Sequence, residues 1–363
     1  MTLSRLVISI FFLICGFTNS SFIDKNKQKP DTDFLIDFVK KNPEKASIYF
    51  VRNDSVLVDI SSDKKFPLAS TAKIIVAIEY AQQVANGNIK PDEMIPLTDL
   101  NLYYLPNTDG NAHPSWLAEV KQKNQIKDQK VSLENVAKGM IKYSSNANTE
   151  YLGAKLGFNN INKNLKKLGL PQHENLYPMA SSLFIFSNNG KTESDKFLSE
   201  IKQLSQKDYT KRCFEIHEKL KMDYDTTFKK SLVFPNLILQ KEWSDRLPTS
   251  TTKEYVSIMK KINSRTFFDT QTQANLEKVM ETSMENPSTK EFYEHYGLKG
   301  GSTGFVLTMS IYAKTRTGDK LELAIFFGNL TLSEQQQLSS SIGEFRKLMF
   351  RDLTFYQRKF IAN

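Results

Sequence analysis

The sequence predicts an α+β fold, an α/β/α sandwich built on an antiparallel sheet with an all-helical lobe inserted between its strands. Three observations carry this expectation. Short β-rich segments, Ala46 to Arg52 and Val56 to Ile60, stand near the start of the 363-residue chain. Strand character returns only at Phe305 to Lys314 and Lys320 to Asn329. Between them, from Lys90 to about Ser264, the pattern of apolar residues is mostly helical. One sheet therefore draws on both ends of the chain, and the junction between the two lobes is a natural place for a site.

The first twenty residues stand apart. Arg5 is their only charge, and the apolar run Leu6 to Phe17 is followed by Thr18-Asn19-Ser20. This reads as a secretory signal peptide over residues 1–20, leaving 21–363 as the mature chain, secreted or periplasmic. The run is too short for a membrane span of about 20 residues. Cys15 follows the bulky Ile14, so a lipid anchor is not expected. Removal of the leader leaves Cys213 alone, and an internal disulfide is excluded.

Each element has a local reason. Phe34 to Lys40 places Phe34, Leu35 and Phe38 on one side of a short helix. Asn53-Asp54 between the first two strands is a hairpin signal. A helix is expected from Ser70 to about Ala85, ended by Asn86-Gly87, which tolerate left-handed backbone. Helical spacing recurs over Leu133 to Tyr143, Asn148 to Leu156, Asn160 to Leu168 and Thr251 to Ile262. Thr317-Gly318-Asp319 closes a second hairpin, and Leu338, Ile342, Phe345 and Met349 mark a last helix near Leu332 to Leu353. The sheet lobe then spans about 34–66 and 290–363, and the helical lobe about 70–265. The stretch 187–247 is polar, lysine-rich and weakly periodic, and reads as an insertion without assigned elements.

Composition narrows the function. The net charge of +9 comes from basic residues scattered among acidic ones, which reads as a solvated surface and not as a nucleic-acid interface. The four histidines, His113, His173, His217 and His295, lack zinc-ligand spacing and read as surface or loop residues, so neither metal nor cofactor is expected. A monomer is the expectation.

Three short motifs carry chemistry. In Ser70-Thr71-Ala72-Lys73 a serine at a helix start, where N–H groups are unpaired, lies one turn from a lysine able to take its proton. Ser-x-x-Lys alone decides nothing, since it also begins at Ser61, Ser62, Ser199 and Ser257. Only at Ser70 does it combine with Phe66-Pro67 before it and an apolar helix behind it. Ser144-Ser145-Asn146 follows a helix and, taken alone, reads more readily as the cap of the next one than as a site. Lys299-Gly300-Gly301-Ser302-Thr303-Gly304 enters the strand at Phe305, and its glycines would let a substrate backbone approach, though they would also suit a flexible turn.

The order Ser-x-x-Lys, Ser-x-Asn, Lys-Gly-Gly resembles the penicillin-recognising serine hydrolases, most closely the class A β-lactamases. Tyr104-Leu105-Pro106 looks like the family's Tyr-x-Pro at the cleft mouth, and Leu247 to Thr252 like its Thr-rich turn before a helix. The resemblance covers nearly all of the mature chain. It implies that Ser70 attacks the amide carbonyl, Lys73 accepts its proton, and Ser144 relays a proton to the leaving nitrogen. Lys299 would supply positive charge to Ser144 and to a substrate carboxylate. Asn146, Ser302, Tyr104 and Gly301 would bind substrate, with the N–H groups of Ser70 and Ser302 forming an oxyanion hole.

Two departures stand out. Ser145 replaces the aspartate of the family's Ser-Asp-Asn. The glutamate that activates the deacylating water sits in an E-x-x-L-N loop in the family, whereas this chain reads LPQHENLYPMASS after Gly169. Glu174 is the only acid there, as that base or as a plain exposed loop residue. The expected function is β-lactam hydrolysis through an acyl-enzyme on Ser70. Its alternatives are a D,D-peptidase acting on peptidoglycan with slow deacylation, and a non-catalytic envelope-binding protein.

Overall fold

The computed structural model describes residues 31–361 except 189, 191, 192 and 353; the expected signal peptide lies outside them. Five strands form the main sheet: β1 (Ala46–Arg52), β2 (Ser55–Ile60), β3 (Tyr293–Ser302), β4 (Leu307–Thr315) and β5 (Lys320–Phe327). Their order is β2-β1-β5-β4-β3, and every neighbouring pair is antiparallel. The two ends of the chain meet where Ile48 pairs with Ile325 and Phe50 with Leu323. Asn53 and Asp54 both take positive φ, 47° and 67°, as a two-residue turn matched to the strand twist requires.

The helices that frame the site are α1 (Thr32–Lys41), α2 (Lys73–Ala85), α3 (Leu133–Lys142), α4 (Asn146–Leu156), α5 (Gln206–Lys221), α6 (Leu237–Asp245), α7 (Thr252–Ser264), α8 (Thr270–Met280) and α9 (Leu332–Arg351). Alternation along β5 explains the sandwich. Leu321, Leu323, Ile325 and Phe327 join the core beneath α1 and α9, with Leu35, Phe38, Ile342 and Phe345. Ala324 and Phe326 face the other way, toward Tyr255 and Ile258 of α7. A sheet covered on both faces needs apolar residues at successive positions, which is why β5 reads LELAIFF. Each such side chain, fully buried, stabilises the fold by about 1.5–3 kcal/mol.

Helix α2 runs through the middle of the helical lobe, with every residue from Lys73 to Ala81 buried. A third core gathers Tyr209, Cys213, Leu239 and Trp243, and the described residues between 193 and 247 form helices around it. Cys213 is buried and unpaired. Among the described residues no helix is long and apolar enough to cross a membrane.

Strand β3 was not foreseen, and it changes where the third motif lies. Lys299 to Ser302 ends this edge strand, and a turn at 303–306 leads into β4. Gly301 is packed against the turn that carries Ser70. A Cβ there would lie 2.6 Å from the Ser70 nitrogen, 2.7 Å from that of Thr71 and 2.8 Å from the Leu68 oxygen. The space is therefore filled by the chain's own backbone, not left open for a substrate. The Thr308 hydroxyl fixes the same contact, donating to the Leu68 oxygen at 2.8 Å and lying 2.6 Å from the Thr71 hydroxyl.

Gly301→Ala is expected to lower stability by about 1–3 kcal/mol, the usual cost of overpacking against atoms that cannot swing aside. Gly300→Ala, whose Cβ would meet only the Thr308 oxygen at 3.6 Å, should cost less. Urea midpoints of the two variants check this, and equal midpoints would refute the packing account.

Candidate active site

Ser70 is the second residue of a 3-10 turn, Ala69–Ala72, that runs into α2. Its neighbour Ala69 is held at φ 45°, in left-handed backbone that alanine rarely adopts. Lys73 opens the helix proper, and only 1% of it is exposed. Its ammonium donates to the Ser144 carbonyl at 2.6 Å, the Asn146 Oδ1 at 2.8 Å and the Ser144 Oγ at 3.2 Å. Burial lowers the Lys73 pKa to about 7, against the opposing charges of Asp109 and Glu150.

Ser144 links α3 to α4 and sits at φ 70°. Such a residue costs about 1–3 kcal/mol unless its surroundings hold it. Here Lys73 grips both its carbonyl and its hydroxyl, and Lys299 reaches the same Oγ at 2.9 Å. Lys299 is also buried and donates to the Gly300 carbonyl at 2.6 Å. Burial, and then the charge of Lys73, push its pKa well below the ordinary lysine value. The cap reading of the second motif holds as well, since Ser145 accepts the Asn148 N–H at 3.2 Å.

Ser70, Ser144 and Lys299 line a cleft of about 290 Å³, and Lys73 lines a second, smaller cavity. Lys299 to Ser302 line the cleft together with Ser70 and Ser144, and Tyr143, Ser283, Glu285 and Asn286 add to the lining. Asn146 lies on the smaller cavity with Lys73. Tyr104 is half-buried, stacks on His113 at 4.8 Å and does not line the cleft. Glu174 is exposed, with its carboxylate accepting the Thr249 N–H at 3.0 Å, and lines neither cavity.

Sequence reasoning missed the groups that surround Lys73 from other elements. Asp109 is buried behind the Ser-x-Asn turn, and its carboxylate accepts backbone N–H bonds from Ala112 at 3.1 Å, His113 at 3.0 Å and Asn146. A carboxylate thus stands near Lys73 although Ser145 occupies the family's aspartate position. The histidines, expected at the surface or in loops, are only partly so: His173 lies in a loop and His295 is part-exposed. His113, His173 and His217 are buried. His113 lies 2.9 Å from the Ser145 hydroxyl, and burial lowers its pKa to about 4, so the ring is neutral. Glu277, Glu281 and His295 form the one cluster of metal-type donors among the described residues. It lies outside the cleft, and the Arg265 guanidinium already supplies its cation.

The sequence matches the model of the beta-lactamase enzyme family over residues 32–293, and no curated protein matches it. The fold is similar to a class A beta-lactamase from Bacteroides cellulosilyticus DSM 14838, at 15% identity and a TM-score of 0.53, covering 90% of this chain and 99% of that one. A beta-lactamase from Chitinophaga pinensis DSM 2588 is similar at 14% identity and a TM-score of 0.52, covering 88% and 98%. An acyl-enzyme complex of a PBP-A point mutant with penicillin G is similar at 16% identity and a TM-score of 0.50, covering 87% and 96%. With the family match spanning well over half of its length, this chain belongs to the beta-lactamase enzyme family and has the α+β fold of the class A enzymes.

Proposed function

We propose that this protein is an exported serine hydrolase that opens β-lactam amides through an acyl-enzyme on Ser70. The observation that carries the reading is the convergence of Lys73 and Lys299 on the Ser144 hydroxyl, at 3.2 and 2.9 Å, in the cleft that Ser70 lines. In this reading neutral Lys73 takes the Ser70 proton as the serine oxygen bonds to the amide carbonyl carbon. The C–N bond then breaks, and the nitrogen receives the Ser144 proton, which Lys73 replaces. Lys299 faces the substrate carboxylate, whose charge would offset the cost of burying two ammonium groups. The N–H groups of Ser70 and Ser302 receive the developing oxyanion, each worth about 3–4 kcal/mol in comparable sites.

A second reading, a D,D-peptidase whose acyl-enzyme clears slowly, is favoured by one observation. Glu174, the acid in the loop where class A enzymes keep their deacylating base, is exposed and tied to Thr249. The similar PBP-A structure was captured as a penicillin G acyl-enzyme. Intact-mass spectrometry of the protein mixed with penicillin, followed over time, separates the readings. A transient adduct abolished by Ser70→Ala supports hydrolysis, a persistent one supports the peptidase, and no adduct rejects both.

Two further outcomes are expected. The neutral fraction of a lysine with a pKa of about 7 rises about tenfold per pH unit below that value and then levels off. The acylation rate constant should follow it, and a rate flat from about pH 5 to 9 would remove Lys73 from the base role. Replacing Ser144 by either Gly or Ala should slow acylation by about a hundredfold. Because of the positive φ, the glycine variant should be more stable than the alanine variant by about 1 kcal/mol. Thermal unfolding checks this, and an alanine variant at least as stable would contradict it.

A further inference from the structure

Beside Lys73 lies a second cavity of about 20 Å³, enough for one water. Lys73, Asn146, Thr149 and Glu150 supply its polar lining, and Leu176, Tyr177 and Met179 close it. Glu150 is on α4, one turn after Asn146, and is almost fully buried. Its Oε1 accepts the Ser181 N–H at 2.8 Å, and its Oε2 lies 2.8 Å from His217 Nδ1. That histidine comes from α5, inside the 187–247 insertion. Its ring stacks on Tyr103 at 5.0 Å and meets the edge of Phe158 at 5.9 Å.

We propose that Glu150, seated by His217, is the general base that activates the deacylating water in this cavity. This rests on the acyl-enzyme reading above. The other acids near Lys73 and the cleft are engaged differently. Asp109 gives its carboxylate to three backbone N–H groups and does not line the cavity. Glu119 and Glu285 line the cleft, where ion pairs with Lys142 and Lys123 outweigh burial and hold both carboxyls below the usual range. Glu150 alone combines burial, a lining position on a water-sized space and Lys73 as a neighbour.

The step balances within the groups present. The water's O–H bond breaks, its proton goes to Glu150, and its oxygen bonds to the acyl carbonyl carbon. When the adduct collapses, the bond from that carbon to Ser70 Oγ breaks. Neutral Lys73 takes the proton held by Glu150 and passes one to the departing Ser70 oxygen, so that Glu150 is again a carboxylate and Lys73 again neutral. Through His217, the insertion then serves hydrolysis without touching substrate, as a positioning residue does.

The test is intact-mass kinetics of the full mature chain with penicillin G, comparing wild type, Glu150→Gln and His217→Asn. The amide of Glu150→Gln keeps an acceptor for the Ser181 N–H but cannot take a proton. Acylation within about threefold of wild type with deacylation slowed about a hundredfold or more is the expected result for Glu150→Gln, and His217→Asn should slow deacylation less. Normal acylation in a variant also reports that its site is folded. If wild type and Glu150→Gln clear the adduct at the same rate, the inference fails while the acyl-enzyme reading stands. A persistent adduct on wild type overturns it too, in favour of the peptidase. No adduct on wild type means that the underlying reading has failed. Should Glu150→Gln not acylate, Glu150→Asp replaces it; the inference requires acylation with slowed clearance there, and clearance at the wild-type rate overturns it.

Discussion

Two buried lysines share one hydroxyl, and the rest of the site is arranged around that fact. With Nζ atoms 3.2 and 2.9 Å from the same Ser144 Oγ, two full charges would lie no more than about 6 Å apart and repel by at least about 3 kcal/mol at an effective dielectric constant of 20. Desolvation adds to this, and it is the first cause of the lowered pKa at both residues. The site answers with acceptors and acids. The Ser144 and Gly300 carbonyls and the Asn146 Oδ1 take the ammonium protons, and Asp109 and Glu150 oppose the charge on Lys73 from behind. The balance leaves Lys73 near neutrality, where an amine both accepts and returns a proton.

Holding these groups in register requires backbone that a relaxed chain would avoid. Ala69 and Ser144, one beside Ser70 and one carrying the hydroxyl that both lysines reach, both have positive φ. Neither is glycine, so each depends on its surroundings. The Ala69 turn is clamped by the Gly301 backbone and the Thr308 hydroxyl. Ser144 is clamped by Lys73 itself, which binds its carbonyl. Strand β3 thus does more than close the sheet: it presses the Ser70 turn into position and delivers Lys299 across the cleft.

Much of this was legible in the sequence where the signal was local. Asn53-Asp54 specified its hairpin, and the β-rich segment from Lys320 to Asn329 marked the strand that β5 forms. Ser70 stood out from four other Ser-x-x-Lys matches through the Phe-Pro lead and the apolar helix behind it. Strand β3 was hidden because YEHYGLKGGS holds three glycines and does not alternate, its burial being set by the Ser70 turn and α9. Helix α5 was hidden for a different reason. It buries Tyr209, Cys213, His217 and Leu220, which have helical spacing, but histidine and cysteine do not register as an apolar stripe in a lysine-rich segment. Asp109 and Glu150 could not be found locally at all, since each matters through its approach to Lys73 from another element.

The two departures from the family pattern then share one physical explanation. A catalytic carboxylate is defined by the atoms it faces, not by the segment that carries it. The position usually filled by aspartate in the Ser-Asp-Asn turn holds Ser145, and Asp109 brings a carboxylate to the Asn146 N–H from the preceding loop. The loop acid Glu174 faces solvent, and Glu150 lines the small cavity from α4. A buried carboxylate on that helix is costly unless both oxygens are satisfied, and the Ser181 N–H and His217 satisfy them. His217 in turn needs α5, and α5 needs the third core around Tyr209, Cys213 and Trp243. The insertion is thereby tied to Glu150 by packing and a hydrogen bond, and through the charge of Glu150 to Lys73, which gives a segment that resisted reading a physical reason to lie beside the site.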